Sequence, residues 1–424
     1  MTVPTEARLK AGGWDYDYSS FYYSSSDDVF AILEPYEDWY DRAQLQGYYL
    51  YAQPMSCRPK TRIDLIEKLE SRHVNLLNLS SYNYLSLSYR PEVVAAAKRA
   101  LDHYGLGAAG SPVLSGTMDV HLELERELAS FKNKPAVMLF PTGYSTNVGL
   151  IAGLMRPGDL IVADQNSHAS IVDGAILSKA NLRFFKHNQP EELENKLRGP
   201  SGKKLVIVEG VYSMDGDVCR LPEIVEIARR HEARIMIDEA HSTFIYGPNG
   251  RGVAEEFGLE DEIDIHVGTL SKALGGQGGF VAGSVALYKY LEGFARSRLF
   301  SCALSPVVAA GVLESLRIAR REPELRATLW DNVAYIRRKL QARGVDIGDS
   351  TSQVIPVMIR DDRRIFEIAH RLLRAGLYLQ PIVYPAVAKH KSRFRISVSS
   401  GHTREQLDES VAILARVLAE EGIL

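Results

Sequence analysis

The 424-residue chain has only three cysteines, Cys57, Cys219 and Cys302, and they are scattered. Three separated thiols build neither a disulfide framework nor a metal site, and they suit a reducing cytoplasm. Charge of one sign is also scarce: 50 Lys and Arg stand against 53 Asp and Glu, a net of −3. A near-neutral chain has no broad basic surface, which argues against a nucleic-acid partner. No apolar run reaches the roughly 20 residues of a membrane-spanning helix, and the first residues lack a signal-peptide pattern. No internal repeat is visible. A phosphate loop of the GxxxxGK[ST] type is missing, because Gly202-Lys203-Lys204 has neither the preceding glycine nor the following hydroxyl. That removes the ATPase reading invited by Asp238-Glu239-Ala240-His241, which spells the DEAH of helicase-like enzymes. The run from Gly105 to Gly110 spells GxGxxG, but it follows a helical stretch, whereas a dinucleotide fingerprint must follow a strand. What remains is 46% hydrophobic, ordinary for a soluble globular protein and long enough for two or three domains.

What is present is concentrated in residues 264–283, DIHVGTLSKALGGQGGFVAG. An apolar run over 263–270 reads as a buried strand, and Lys272 follows it inside a glycine-rich turn. A lysine there is either a solvated loop residue or an amine desolvated until it can attack a carbonyl. Other polar groups decide between these. Strands expected at 234–237, 205–209, 160–163 and 136–140 are followed by Asp238, Ser213, His168 and Thr142-Gly143-Tyr144. In a parallel α/β sheet the carboxyl ends of the strands share one edge, where ligands bind, so these residues converge.

Their types fit pyridoxal phosphate. An aspartate against a pyridine nitrogen keeps the ring protonated and makes it an electron sink. An imidazole can stack on the ring face. The Thr142-Gly143-Tyr144 turn, opening a helix, offers backbone N–H groups to a phosphate.

The chain resembles the α-oxoamine synthases, fold-type-I pyridoxal-phosphate enzymes that join an amino acid to an acyl-CoA and release carbon dioxide. The resemblance rests on TLSKALGGQGGFVAGS, IDEAHSTFIYGPNGRG, VEGVYSMDGD, DQNSHASIVDGA, SSYNYLSLS and FRISVSSGHT, in family order from about residue 75 to 410. It implies an α/β fold: a mostly parallel central sheet with helices on both faces, plus a smaller α+β carboxyl-terminal domain. It further implies Lys272 as the Schiff-base lysine, Asp238 at the pyridine nitrogen, His168 stacked on the ring, and His241 and Ser213 near the phenolic oxygen. Thr142, Gly143, Tyr144 and Thr269 fall to the phosphate and ring edge. Ser301 matches a position that reaches the neighbouring subunit's phosphate, so a homodimer with shared sites is expected. Arg395 matches the arginine for the substrate carboxylate, and Asn83 a substrate-side asparagine. No metal is implied. Two departures from the family pattern stand out. Ala388 ends a loop usually bounded by proline, and residues 111–116 around Pro112 lack an arginine.

The organisation expected is an amino-terminal arm over 1–60, a large cofactor domain over 61–305 and a small domain over 306–424. The Tyr/Ser/Asp-rich stretch 15–28 is either a flexible acidic arm or an ordered one packed on a partner subunit or domain. A helix is expected over 29–45. Substrates are a small amino acid (glycine, alanine or serine) and an acyl-CoA. The run from Asn78 to Leu85 looks most like the serine palmitoyltransferase branch. Glycine C-acetyltransferase-like and 8-amino-7-oxononanoate synthase-like activities stay open, as does a secondary-metabolite synthase with its own acyl donor. A fold-type-I aminotransferase is an alternative of another class; a non-catalytic partner subunit would have no need of Lys272.

Overall fold

A computed structural model describes residues 21, 25–66, 72–199 and 202–424. Two compact units form, one over Tyr82–Trp330 and one joining Met1–Ser81 to Asp331–Leu424. The division differs from the expected boundaries at residues 60 and 305. The strand Arg72–Asn78 pairs in parallel with Leu377–Tyr378, and this long-range pairing assigns the residues up to Ser81 to the second unit.

The larger unit is built on a seven-stranded sheet. Across it run Ala136–Phe140, Gly279–Gly283, Ile265–Thr269, Arg234–Asp238, Lys204–Glu209, Leu160–Asp164 and Asn181–Phe185. Only Gly279–Gly283 runs antiparallel to its neighbours in this sheet. Leu160–Asp164 and Ile265–Thr269 are buried at every position, as expected of strands covered on both faces. Met138, Ile161, Ile207, Met236 and Val267 pack with Leu150, Ile151, Ile171 and Ala175 of two following helices in one apolar core. Full burial of those side chains is the main stabilising term, about 1.5–3 kcal/mol for each large one.

Local chemistry sets the helix ends. Pro91 opens Pro91–Tyr104 at a position where its missing N–H costs nothing, and Gly105 closes it with φ of +77°. Thr142 caps Gly143–Leu154, its Oγ1 accepting from Ser145 N at 2.9 Å.

In the smaller unit, the strands Val354–Met358, Arg393–Ser397 and Pro381–Ile382 form an antiparallel sheet. Arg364–Arg374 is strongly amphipathic, burying Ile365, Phe366, Ile368, Leu372 and Leu373. The helix expected over 29–45 is observed as Leu33–Leu45, four residues shorter at its start. Its buried Trp39 lies in a run of rings with Phe21, Tyr36, Tyr40 and Tyr49, spaced 4.5–6.3 Å centre to centre. Most of the stretch 15–28 lies outside the described residues.

Candidate active site

The carboxyl ends of the parallel strands meet at one edge, as the sequence implied. A cavity of about 260 Å³ opens there, lined by Thr142, Gly143, Tyr144, His168, Asp238, His241, Thr269 and Lys272 together with Asn147, Ser170 and Glu209. Eight of the expected residues therefore face one space. Ser213 lies on a turn after Lys204–Glu209, half-buried and outside the lining. Asn83 is buried, and its Nδ2 donates to Ser88 Oγ at 2.9 Å. Ser301 follows the short helix Arg296–Leu299, also away from the lining. Arg395 belongs to the other unit, half-buried in Arg393–Ser397 opposite Pro356.

Lys272 leaves the end of Ile265–Thr269 in a turn that depends on Gly275, whose φ is +68° and whose added Cβ would come within 2.7 Å of Ser88 N. Burial of the ammonium lowers its pKa to about 8, against the opposing pull of Asp238 and Glu209. Asp238 is 6% exposed. Its Oδ2 accepts from Asn147 Nδ2 at 2.7 Å and its Oδ1 from Ala240 N at 2.9 Å. Asn147 Nδ2 also donates to Ser170 Oγ at 3.0 Å, and that hydroxyl lies 2.7 Å from His168 Nδ1. The aspartate and the rim histidine are thus joined through two buried polar groups.

His241 is fully enclosed. Desolvation first, then the charges of Lys272 and His168, push it well below the ordinary histidine value, so the imidazole is neutral. Its Nδ1 lies 2.8 Å from the hydroxyl of the buried Tyr84. Glu209 carries the opposite shift. Burial and the nearby Asp238 hold its carboxyl well above the usual range, while one oxygen accepts the His168 N–H. At the opening of Gly143–Leu154 the Thr142 side chain serves Ser145 N, and Gly143 packs so closely that an added Cβ would lie 3.1 Å from Thr269 Oγ1. Thr269 Oγ1 itself donates to Gly278 O at 3.0 Å.

Sequence reasoning missed Asn147, Ser170, Glu209 and Tyr84. Ser170 and Glu209 stand inside the quoted motifs but carry no signature of their own. Tyr84 is next to Asn83 in SSYNYLSLS, and only the fold shows that the tyrosine reaches His241. Asn147 sits in a mostly apolar helix.

The profile of the aminotransferase class I and II family matches residues 74–414. An 8-amino-7-oxononanoate synthase of Alkaliphilus metalliredigens is 41% identical over 82% of this chain and 89% of its own length. A serine palmitoyltransferase of Sphingobacterium spiritivorum is 39% identical over 89% of this chain and 94% of its own. The chain belongs to the α-oxoamine synthases, a branch of the class II pyridoxal-phosphate enzymes. Among solved structures, a serine palmitoyltransferase from S. paucimobilis with bound PLP superposes with a TM-score of 0.88 at 33% identity, covering 94% of this chain and 100% of that one. The fold class is thereby fold-type I, and the cofactor is pyridoxal phosphate. The residues lining the cavity fit that group: a desolvated amine, a buried carboxylate, and a helix opening kept bare of side chain at Gly143.

Proposed function

We propose that this α-oxoamine synthase condenses serine with a long-chain acyl-CoA, forming a carbon–carbon bond at the amino acid's Cα and releasing CoA and carbon dioxide. One observation carries the condensation chemistry, and the likeness of residues 78–85 to the serine palmitoyltransferase branch carries the choice of substrates. A lysine amine with its pKa lowered to about 8 lines the same cavity as a buried aspartate and the Gly143 turn. At about pH 7 roughly a tenth of such an amine is unprotonated, far more than of a solvated lysine. The bound cofactor supplies an electron sink for the Cα carbanion.

The chain's own groups do the rest. Lys272 Nζ would hold the cofactor, and its amine, partly unprotonated near neutral pH, would serve as the base for the Cα proton. Asp238, fixed by Asn147 and Ala240, would keep the pyridine nitrogen protonated. By the resemblance, His168 would stack on the ring, while neutral His241 and Ser213 would serve the phenolic oxygen. The amides of Gly143 and Tyr144, with Thr142 and Thr269, would take the phosphate. By the resemblance, Arg395 grips the amino-acid carboxylate and so orients the Cα–H bond, with Asn83 on the substrate side. Burial brings the Arg395 guanidinium down to about 10, which leaves it cationic at neutral pH.

A homodimer with Ser301 crossing between subunits is part of the proposal. Leu106, Leu114 and Phe300 are 81%, 85% and 76% exposed. They lie on two segments held together by Ser111 Oγ to Leu299 O at 2.7 Å and Ala303 N to Gly110 O at 2.9 Å. Such an apolar surface suits burial against a second copy. No helix among the described residues is long and apolar enough to cross a membrane, and the cytosol, where acyl-CoA is made and used, is the proposed location.

A shorter acyl donor is the second reading, favoured by the 41% identity to an 8-amino-7-oxononanoate synthase. A grid of glycine, alanine and serine against acetyl-, octanoyl- and palmitoyl-CoA, followed by CoA release, tests both. Serine with palmitoyl-CoA is expected to turn over fastest. Turnover with a short donor and none with that pair would overturn the substrate assignment and leave the condensation standing.

A further inference from the structure

His187 follows the edge strand Asn181–Phe185 and has no part in the chemistry above. Both of its ring nitrogens face carboxylates: Nδ1 lies 2.9 Å from Asp164 Oδ1, and Nε2 lies 3.0 Å from Asp217 Oδ2. An ionised carboxylate only accepts, and a neutral imidazole has a single N–H. Two such contacts therefore call for the doubly protonated ring. Burial works against that charge, yet the bonds to Asp164 and Asp217 outweigh it and push the histidine up to about 10. The other titratable groups facing the ring are Asp215, within 4.8 Å, and Tyr212, packed edge-on at 4.5 Å between centres.

The two carboxylates belong to different loops. Asp164 is buried and ends Leu160–Asp164; its Oδ1 accepts from Asn166 N at 2.8 Å and its Oδ2 from Asn188 N at 2.8 Å. The segment it holds runs straight into His168. Asp217 closes the turn that carries Ser213, where Tyr212 N donates to Asp217 O at 3.0 Å and Val211 bridges Val218. Asn188 reinforces the same junction, its Nδ2 reaching Asp217 Oδ2 at 3.0 Å and Val218 O at 2.9 Å.

We propose that His187 is a positioning residue that ties the loop leading into His168 to the turn carrying Ser213, and so fixes the spacing of two groups that hold the cofactor. The inference rests on the roles given to His168 and Ser213 above. The bridge is charge-assisted at both ends and largely shielded from water, which makes it stiffer than the exposed contact between Asn166 and Asp215 alone. A competing use of these atoms exists. His187, Asp215 and Asp217 lie close enough to hold a metal ion, but the ion would have to replace the Nε2 proton that Asp217 accepts.

The test uses the full chain with and without pyridoxal phosphate, in wild type, His187→Gln and Asp217→Asn. Proton NMR of the cofactor-free wild type at about pH 8 should show two slowly exchanging ring N–H signals that His187→Gln removes. Cofactor affinity, read by titrating the visible absorbance, should weaken about tenfold in either variant. The visible circular dichroism of the bound ring should change with it, and the double variant should be no worse than the worse single one. Asp217→Asn keeps the question open to decision if His187→Gln does not fold. Affinity within about twofold of wild type in a folded variant overturns the proposal. So does zinc raising the melting temperature of the wild type and not of His187→Gln, because the histidine would then be a ligand. A wild type that binds no pyridoxal phosphate sinks the functional reading instead, and the NMR signals still decide whether the clamp exists.

Discussion

At the scale of single residues, the site works by pushing similar groups in different directions. Lys272 is lowered by burial, Glu209 is raised by it, and His241 is held neutral. Capture of pyridoxal phosphate by the cofactor-free chain needs the free amine. Its rate should therefore rise with pH and level off above about 8, not at the 10.5 of an ordinary lysine. Stopped-flow absorbance across that range checks this, and a midpoint near the ordinary value would mean the amine is solvated. Lys272→Ala should fold, lose the visible absorbance of the bound wild type and turn over no substrate; substantial residual synthase activity would refute the assignment. Asn147→Ala removes a buried donor from Asp238 and leaves Oδ2 short of a partner. A cost of about 1–3 kcal/mol is expected, read both as a lower melting temperature and as a loss in kcat/KM of up to roughly a hundredfold. Rescue by Asn147→Ser, and not by Asn147→Leu, would assign the effect to the hydrogen bond.

At the scale of elements, Asp238 and Glu239 leave the end of Arg234–Asp238 in different surroundings. Glu239 lies buried with Lys132 Nζ at 2.5 Å and His266 Nδ1 at 3.2 Å, all three nearly inaccessible. Burial alone would raise its pKa, but Lys132 and then His266 outweigh that and bring it to about 2. A carboxyl depressed in the fold stabilises above its unfolded value, near 4.5, and that contribution is lost as pH falls toward 2. Lys132→Met leaves the carboxylate buried and alone, so a destabilisation of about 3–5 kcal/mol is expected in urea titrations at neutral pH. That deficit should shrink toward pH 4 as Glu239 of the variant takes up a proton. A constant deficit would mean that packing, and not charge, is responsible.

The same scale explains what could be read from the sequence. The strands ending at Asp164, Glu209, Asp238 and Thr269 were legible because each is a short apolar run stopped by a polar residue, and shared direction then brought their ends together. The strand Asn181–Phe185 was not, since as an edge it is buried fully only at Phe185. The membership of Arg72–Asn78 in the smaller unit was not legible either, because it depends on partners far down the chain. His187 shows the same limit within the site's surroundings: a loop histidine acquires meaning only when two distant aspartates close on it.

For the molecule as a whole, the dimer is the first thing to measure. Light scattering at about micromolar concentration, typical of assay conditions, should give twice the chain mass. A fully active monomer would remove the role given to Ser301. The division of the chain has a consequence for its synthesis. Leu77 N is bonded to Gly376 O at 2.8 Å, and Arg72–Asn78 pairs with Leu377–Tyr378. One strand of this sheet therefore leaves the ribosome roughly 300 residues before its parallel partner, a delay of about 15–60 s at the usual 5–20 residues per second. During that interval Tyr82–Trp330 can emerge complete while the sheet beside Arg72–Asn78 is unfinished. An early strand edge is open to wrong partners for that time, so stalled chains ending near residue 330 should be cut by protease within residues 62–78 and spared across 136–283.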